Sequence, residues 1–162
     1  MLLRPPTDAD AAALVAIFAE PAVEPWWPRI DADTVGPDLI HDDDPDSTTY
    51  VIEVDGEVAG AVQAWEEVDA DYRHAGMDIA VSARWHGAGV GADALRTVAR
   101  HLLDDLGHHR LTIDPAAANG RAIAAYEKLG FRPVGVLRSY ERGPDGTFHD
   151  GLLMDLLAGE LR

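Results

Sequence analysis

His86-Gly87-Ala88-Gly89-Val90-Gly91 joins a predicted strand, Met77–Val81, to a predicted helix. The helix is indicated by apolar residues at helical spacing, namely Leu95, Val98, Ala99, Leu102, Leu103 and Leu106. Three glycines in five positions leave the backbone N–H groups of the loop open to a ligand. Because a helix N-terminus carries free N–H groups and a partial positive charge, this loop is a candidate phosphate site. Taken alone, it is equally well read as a flexible turn.

Two other families of phosphate-binding loop compete for the same glycines. A nucleoside-triphosphate loop requires Gly-Lys-Ser/Thr at its end, and no lysine follows Gly87 here. A dinucleotide fingerprint is nominally met by Gly87, Gly89 and Ala92. It requires an acid at a strand end about twenty residues later, whereas Asp104–Asp105 lies at the end of the predicted helix. The dinucleotide interpretation is weaker but stays open.

Length and composition restrict the class of protein. The chain has 162 residues and is expected to form one domain, residues 1–162. It has no cysteine, so disulfides and thiolate chemistry are excluded. No apolar run reaches the roughly 18 residues of a membrane span, and the N-terminus has no signal-peptide core. These features predict a cytoplasmic protein without a membrane partner.

The charge indicates the kind of partner. The formal net charge is −16 at pH 7, with 29 acidic and 13 basic residues. Nucleic-acid binding needs clustered Lys and Arg, so that function is disfavoured. A cationic partner is favoured instead, because an acidic cleft concentrates cations near it. Much of the acidity is also expected to serve solubility alone.

The remaining elements follow from periodicity and turn residues. A first helix follows Thr7 and closes before Pro21, and a second runs over Asn119–Leu129. The predicted strands are Thr49–Val54, Val58–Trp65, Arg110–Ile113, Phe131–Leu137 and Phe148–Leu157. The first two are joined by the turn Asp55-Gly56.

Three further segments were considered as candidate parts of a site. Trp26 and Trp27 are adjacent between prolines and cannot share one face of a regular element, so at least one indole is expected at a cleft or loop surface. The acidic loop Asp42–Asp46 lacks the glycine and the terminal Glu of a calcium loop, and no metal site is predicted. His149 and Asp150, near the last strand, are equally compatible with a substrate contact and with a surface position.

The predicted helix Asn119–Leu129 carries a second pattern. Asn119 and Tyr126 are separated by about 700° of helix rotation and so point to one face, and the helix ends in Gly130-Phe131. Together with the glycine loop, this pattern resembles the Gcn5-related N-acetyltransferase (GNAT) superfamily over roughly residues 50–157. The resemblance implies a mixed, mostly antiparallel sheet flanked by helices.

The resemblance also implies a cofactor, acetyl-CoA, and the residues that bind it. In the family the x-x-Gly-x-Gly loop holds the pyrophosphate, and the Asn…Tyr helix flanks the pantetheine and thiol. The residues implied here are Ile79, Ala80, Val81, His86, Gly87, Ala88, Gly89, Val90, Gly91, Asn119, Ala122 and Tyr126. The family usually has Gln or Arg where this chain has His86, which is a departure at the first phosphate contact.

Further segments are similar to the bacterial aminoglycoside 6′-N-acetyltransferases: Trp26-Trp27, Ala75–Asp78, Thr112–Pro115 and Asn119 with Arg121–Ile123. This similarity implies that Asp78 is the base for the substrate amine and that Asp114 lines the aminocyclitol site. It also implies that Tyr126 protonates the leaving thiolate. Trp26 and Trp27 are then expected to contact the substrate.

The residues themselves agree with this chemistry. Acetyl transfer needs a neutral amine, a group that polarises the carbonyl and an acid for the thiolate. Asp78 is the only acid in an otherwise apolar predicted strand, where a carboxylate is either satisfied structurally or kept for chemistry. Its position directly before the glycine loop favours chemistry. Without the other motifs, Tyr126 reads as a core tyrosine.

The predicted function is acetyl-CoA-dependent N-acetylation of a primary amine on a cationic small molecule, with aminoglycoside-like compounds as the leading class. One alternative is N-terminal acetylation of a ribosomal protein or peptide, because the segment Gly146–Asp150 also resembles acetyltransferases of that kind. Another is a non-catalytic module that binds acyl-CoA or a nucleotide. The chain is expected to act as a monomer or homodimer.

Overall fold

Seven strands and three α-helices carry the regular structure of the computed structural model, which describes all residues 1–162. The strands are β1 (Leu2–Arg4), β2 (Ser47–Val54), β3 (Glu57–Glu67), β4 (His74–Val81), β5 (Arg110–Ile113), β6 (Arg132–Arg142) and β7 (Phe148–Leu157). The helices are α1 (Ala11–Phe18), α2 (Val90–Arg100) and α3 (Gly120–Leu129). One π-helical turn, His101–Asp105, extends α2.

The strands form one sheet in the order β1-β2-β3-β4-β5-β7-β6. All neighbouring pairs are antiparallel except β4 and β5, which are parallel. A parallel pair needs a crossover connection, and α2 supplies it between β4 and β5. The predicted class, a mixed and mostly antiparallel sheet with flanking helices, is confirmed.

Apolar residues cover both faces of the sheet. The larger core packs α2 and α3 against one face, with Met77, Leu95, Leu111, Leu129 and Met154 among its buried residues. The smaller core packs α1 against the other face through Leu14 and Phe18. Side chains alternate along β4, so Met77 points to the α2 face while Ala80 points to the α1 face. Asp78, two residues before Ala80, shares the α1 face.

The turn between β2 and β3 has the backbone conformation that its two residues predict. Asp55 and Gly56 have φ values of 54° and 80°, as a two-residue hairpin turn with positive φ at both positions requires. Asn, Asp and Gly adopt this backbone most easily, which explains why the turn was predictable from the dipeptide Asp55-Gly56 alone.

Other boundaries differ from the prediction. β3 and β4 extend into the segment Glu66–Gly76, beyond the predicted strand ends at Trp65 and Met77. β6 continues five residues beyond Leu137. The short β1 was not predicted, because three residues carry too little periodicity. Its Arg4 forms ion pairs with Asp10 and Glu53, both at 2.7 Å, and so ties the first strand to the start of α1.

No helix combines the length and the apolar character that a membrane crossing requires.

The tight approach of β3 and β4 gives the first prediction. A Cβ at Gly60 would lie 2.1 Å from the main-chain oxygen of Ala80. Gly60→Ala must therefore push the two strands apart, and we expect it to lower the free energy of unfolding by about 2 kcal/mol or more. Gly135→Ala is the matched strand control, because nothing lies within 4 Å of its Cβ position. Urea unfolding of both variants measures the difference, and equal stabilities would contradict the packing described.

Candidate active site

The site begins where β4 and β5 separate. The two parallel strands pair only at Ala75–Leu111 and Gly76–Thr112. Beyond Gly76, β4 continues to Val81 while paired with β3 alone. The other edge of Asp78–Val81 therefore has main-chain N–H and C=O groups available to an extended ligand, except for the Val81 carbonyl, which His86 engages.

The glycine loop closes one end of this opening. Gly87 and Gly89 have φ values of 78° and 87°, and no atom lies within 4 Å of the Cβ position of either residue. The N–H of Asp93 donates to the carbonyl of Gly89, which is the first helical bond of α2. The preceding N–H groups, from Val90 to Ala92, consequently have no acceptor within the helix. This is the backbone geometry of an anion site.

A cleft of about 610 Å³, the glycine-loop cleft, joins β4, this loop and α3. Of the residues predicted to bind a cofactor, its lining includes Ile79, Ala80, Val81, His86, Gly87, Gly89, Gly91, Asn119, Ala122 and Tyr126. Two others do not line it: Ala88 is exposed, and the side chain of Val90 is in the core under α2. Those two residues can contribute only main-chain groups.

The charge of this cleft is opposite to that of the chain. None of its 23 lining residues is Asp or Glu, although the chain contains 29 acids. Its cations are Arg96, Arg121 and Lys128. Such a distribution favours an anionic ligand with an apolar part, since most of the remaining lining is apolar.

Helix α3 places Asn119 and Tyr126 on the cleft side, as their spacing predicted. Asn119 caps the helix, and its side-chain oxygen accepts a hydrogen bond from the N–H of Ala122 at 3.2 Å. Tyr126 is buried, with 7% of its surface exposed. Burial, and secondarily the charge of Asp78, raises the pKa of its phenol above the usual value, while Arg121 opposes that rise.

His86 contacts the strand and α3 rather than open solvent. Its Nε2 lies 2.8 Å from the carbonyl oxygen of Val81, and its Nδ1 forms a hydrogen bond with the guanidinium of Arg121. The loop and the first turn of α3 are therefore linked by side chains across the mouth of the cleft.

Asp78 is half-buried on β4, directly opposite Gln63 of β3. Desolvation, followed by the charges of Asp114 and Glu141, raises its pKa to about 7. Half of such carboxylates carry a proton at neutral pH, which is the range suited to a general base. Asp114 is also half-buried, one residue beyond β5, and the structure brings these two acids within electrostatic reach of each other.

A second cavity of about 680 Å³, the hairpin cavity, lies beside the turn between β6 and β7. Its carboxylates are Glu141, Asp145 and Asp150. A hydrogen bond from His149 holds the pKa of Asp145 low, at about 2, so that acid stays ionised. The hairpin cavity is thus the acidic counterpart of the glycine-loop cleft.

Trp26 and Trp27 line both cavities. Trp27 is anchored by an edge-on contact with Phe18 of α1, with the ring centroids 4.9 Å apart. Both indoles are half-buried, which agrees with the expectation that at least one reaches a cleft. The pair forms the wall that the two cavities share.

Two residues of this region, Tyr140 and Glu141, were missed by the sequence analysis. Between the pairs Leu137–Gly151 and Glu141–His149, three residues of β6 lie opposite the single Asp150. At this bulge Ser139 has a φ of 49°, and its N–H donates to the Asp150 carboxylate at 2.8 Å.

The bulge directs side chains toward the acids of the site. The pKa of Tyr140 rises to about 12, chiefly through its interaction with the Asp114 carboxylate. Desolvation, with Asp114, also raises the pKa of Glu141. No sequence signal marks a bulge at a serine, whereas Gly151, against which the Tyr140 ring packs, offers a weak one.

No group of three or more His, Asp or Glu side chains has the arrangement of a metal site.

The chain is similar in sequence to known acetyltransferases. An aminoglycoside N(6′)-acetyltransferase type 1 of Klebsiella pneumoniae is 28% identical over 160 residues, which cover 89% of this chain and 78% of the relative. The spermidine N(1)-acetyltransferase of Escherichia coli is 31% identical over 114 residues, covering 70% of this chain and 60% of the relative.

Solved structures show the same fold at lower identity. The ribosomal-protein-alanine N-acetyltransferase from Brucella melitensis superposes with a TM-score of 0.78 at 24% identity, covering 97% of this chain and 99% of that one. The family model described as "Acetyltransferase (GNAT) family" matches residues 12–131, which include the glycine loop, α3 and all of α1 except its first residue. The chain therefore belongs to the GNAT family of acetyltransferases, which are acyltransferases that use acetyl-CoA.

Proposed function

We propose that this chain transfers the acetyl group of acetyl-CoA to a primary amine of a cationic small molecule, with aminoglycoside-like compounds as the leading class. The observation that carries the proposal is the separation of charge between the two cavities. The glycine-loop cleft has cations and no acid, whereas the hairpin cavity has three carboxylates and one arginine, Arg142, and so is acidic on balance. An anionic donor and a cationic acceptor are thereby given separate sites that share one wall.

The glycine-loop cleft has the features that acetyl-CoA requires. The free N–H groups at the start of α2 suit a pyrophosphate, and Gly87 and Gly89 leave space for it to approach the backbone. The unpaired edge of β4 can hydrogen-bond an amide-containing pantetheine arm in the manner of an added strand. The cofactor supplies the thioester whose acetyl group is transferred.

Asp78 is proposed to take up the proton of the attacking amine. The carboxylate attracts the ammonium form of the substrate and accepts a proton from it, which leaves a nitrogen lone pair for attack on the carbonyl carbon. The C–N bond then forms and the C–S bond breaks. The nitrogen loses its second proton as the amide forms, and this proton restores the phenol of Tyr126 after that phenol has protonated the leaving sulfur. A pKa near 7 allows the same carboxyl to be ionised when substrate arrives and protonated after transfer.

Tyr126 is proposed to serve the leaving sulfur. Its raised pKa keeps the phenol protonated at neutral pH, so that the hydroxyl can donate a hydrogen bond and then a proton to the thiolate. Arg121 opposes the rise in this pKa, which limits how weak an acid the phenol becomes.

The acceptor class rests on the carboxylates near Asp78 and in the hairpin cavity. Asp114, Glu141 and Asp145 can each pair with an ammonium group, and the indoles of Trp26 and Trp27 can cover an apolar or sugar face. Two relatives named for amine acceptors, an aminoglycoside and spermidine, support a molecule with several cationic groups. A neutral or singly charged amine would leave most of these carboxylates unpaired.

Substitution of the glycine loop tests the donor site. Gly89→Val should weaken acetyl-CoA binding at least tenfold, because the side chain occupies the phosphate approach and disfavours φ = 87°. Gly107→Val is the matched control: its φ is 72°, its Cβ position is equally open, and it lies beyond the other end of the helix. Calorimetric titration with CoA separates the two, and an equal loss of affinity in both would assign the effect to strain.

Substitution of the proposed base tests the chemistry. Asp78→Asn should reduce kcat/KM at least a thousandfold with acetyl-CoA affinity changed less than threefold, since the amide can neither accept a proton nor attract an ammonium. Tyr126→Phe should cost about 10²–10⁴-fold, the range of a general acid. In the wild type, activity should rise with pH through about 7 as Asp78 ionises. An active Asp78→Asn enzyme would contradict the assignment.

Stability provides an independent readout of the same carboxyl. Its pKa is raised from 3.8 in the unfolded chain to about 7 in the fold, so folded protein holds the proton more tightly between these values. The free energy of unfolding of the wild type, measured relative to that of Asp78→Asn, should therefore fall as pH rises from 4 to 7. The total decrease is at most about 4 kcal/mol, and no further change is expected above pH 7. Thermal melting at pH 5 and pH 8 measures this difference, which should be larger at pH 8.

An acceptor screen tests the substrate class. Thiol release from acetyl-CoA should be fastest with an aminoglycoside, slower with spermidine, and slowest with a lysine derivative or the N-terminus of a short peptide. Glu141→Gln should raise KM for the polycation several-fold with kcat retained, whereas Asp104→Asn, an equal charge change at the exposed end of the α2 extension, should not. A preference for the peptide would support the N-terminal acetyltransferase alternative instead.

A further inference from the structure

We propose that Arg121, held in place by His86, is the side chain that binds the pyrophosphate of the cofactor. Arg121 would thereby take the place of the Gln or Arg that the family resemblance leads us to expect at the position of His86. This inference rests on the proposed binding of acetyl-CoA in the glycine-loop cleft. It assigns a binding role to a residue of α3 and a positioning role to His86.

The two hydrogen bonds of His86 determine what its ring can do. A main-chain carbonyl only accepts, so the Nε2 that lies 2.8 Å from the Val81 oxygen carries the proton. A guanidinium only donates, so Nδ1 accepts from Arg121. Both ring nitrogens are then committed to partners within the protein. His86 in this state has no donor left for a phosphate oxygen.

Arg121 is in the opposite situation. A guanidinium has five N–H donors, and one of them is used by His86, which leaves four. Arg96, which also lines the cleft, is engaged by the Asp93 carboxylate at 2.7 Å and by the main-chain oxygen of Arg162 at 2.9 Å. Arg121 contacts no carboxylate, and no acid lines the cleft to compete for it. It is therefore available to an anion.

The position of the contact selects the phosphate. His86 is the first residue of the glycine loop, so the guanidinium bonded to it is held at the loop that leads into the free N–H groups of the first turn of α2. Those N–H groups and the planar fork of an arginine suit two sides of one phosphate oxyanion. The pyrophosphate, rather than the more distal 3′-phosphate of CoA, is the group that both would contact.

Calorimetric titration with CoA tests the assignment. Arg121→Gln should weaken binding about ten- to a hundredfold, the loss of a charge-assisted contact with an anion. The affinity for 3′-dephospho-CoA should fall by the same factor. The matched control is Arg100→Gln, an equal charge change on an exposed residue at the last turn of α2, which should alter either affinity less than twofold.

A double-mutant cycle tests the positioning role. His86→Ala should also weaken CoA binding several-fold, but the additional loss should vanish in the Arg121→Gln background, because His86 acts through Arg121. His86→Gln should restore most of the affinity, since its amide can donate to the Val81 carbonyl and accept from Arg121. Melting temperatures of all variants establish that they are folded.

Each of the following results would contradict a specific part of the inference. Unchanged CoA affinity in folded Arg121→Gln overturns the inference while leaving the proposed function intact. A loss confined to CoA, absent for 3′-dephospho-CoA, moves Arg121 to the 3′-phosphate and overturns the pyrophosphate assignment. Additive losses in the double variant overturn the positioning role of His86. Wild-type protein that does not bind CoA at all overturns both the inference and the proposed function.

Discussion

The parallel pairing of β4 with β5 lasts for only two residue pairs, and the site depends on that interruption. A sheet that stayed paired would satisfy the backbone of Asp78–Val81 internally and leave no opening. Because the strands separate, α3 and the glycine loop can face each other across a cleft whose floor is unpaired backbone. The sheet is nevertheless continuous at Gly76, so the two halves of the site are held at a fixed separation by hydrogen bonds rather than by loops.

The same separation accounts for the electrostatics. Asp78 lies on the α1 face of β4, close enough to Asp114 and Glu141 for their charges to add to its desolvation. On the other side of the opening, the cleft lining excludes every acid and collects three cations. Such an uneven distribution in a chain of net charge −16 requires that the elements carrying each sign be segregated in space. The fold achieves this with strands and the β6–β7 hairpin on one side and helices α2 and α3 on the other.

Features set by residues close together in the sequence were predictable, whereas features set by contacts between distant segments were not. The glycine loop, the Asp55-Gly56 turn and the spacing of Asn119 and Tyr126 are local patterns, and each was predicted from a few neighbouring residues. The pairings of β1 with β2, β4 with β5 and β5 with β7 join residues more than thirty positions apart, and here only the family resemblance helped. The bulge at Ser139 and the link from His86 to Arg121 depend on side chains meeting across elements, which no periodicity encodes. Assignment of roles to the predicted site residues remains a proposal.

The acidic hairpin cavity has a consequence for product release. Under the proposed function, a primary amine would enter as a cation, and the three carboxylates that line the cavity would attract it. Acetylation would convert the reacting nitrogen to a neutral amide, so the reaction itself would remove one attractive charge. The product would then be bound more weakly than the substrate, and a fresh cation would be favoured over it once the base has lost the proton taken from the amine. On this view the surface that recruits the acceptor also sets the direction of exchange, with no moving lid required.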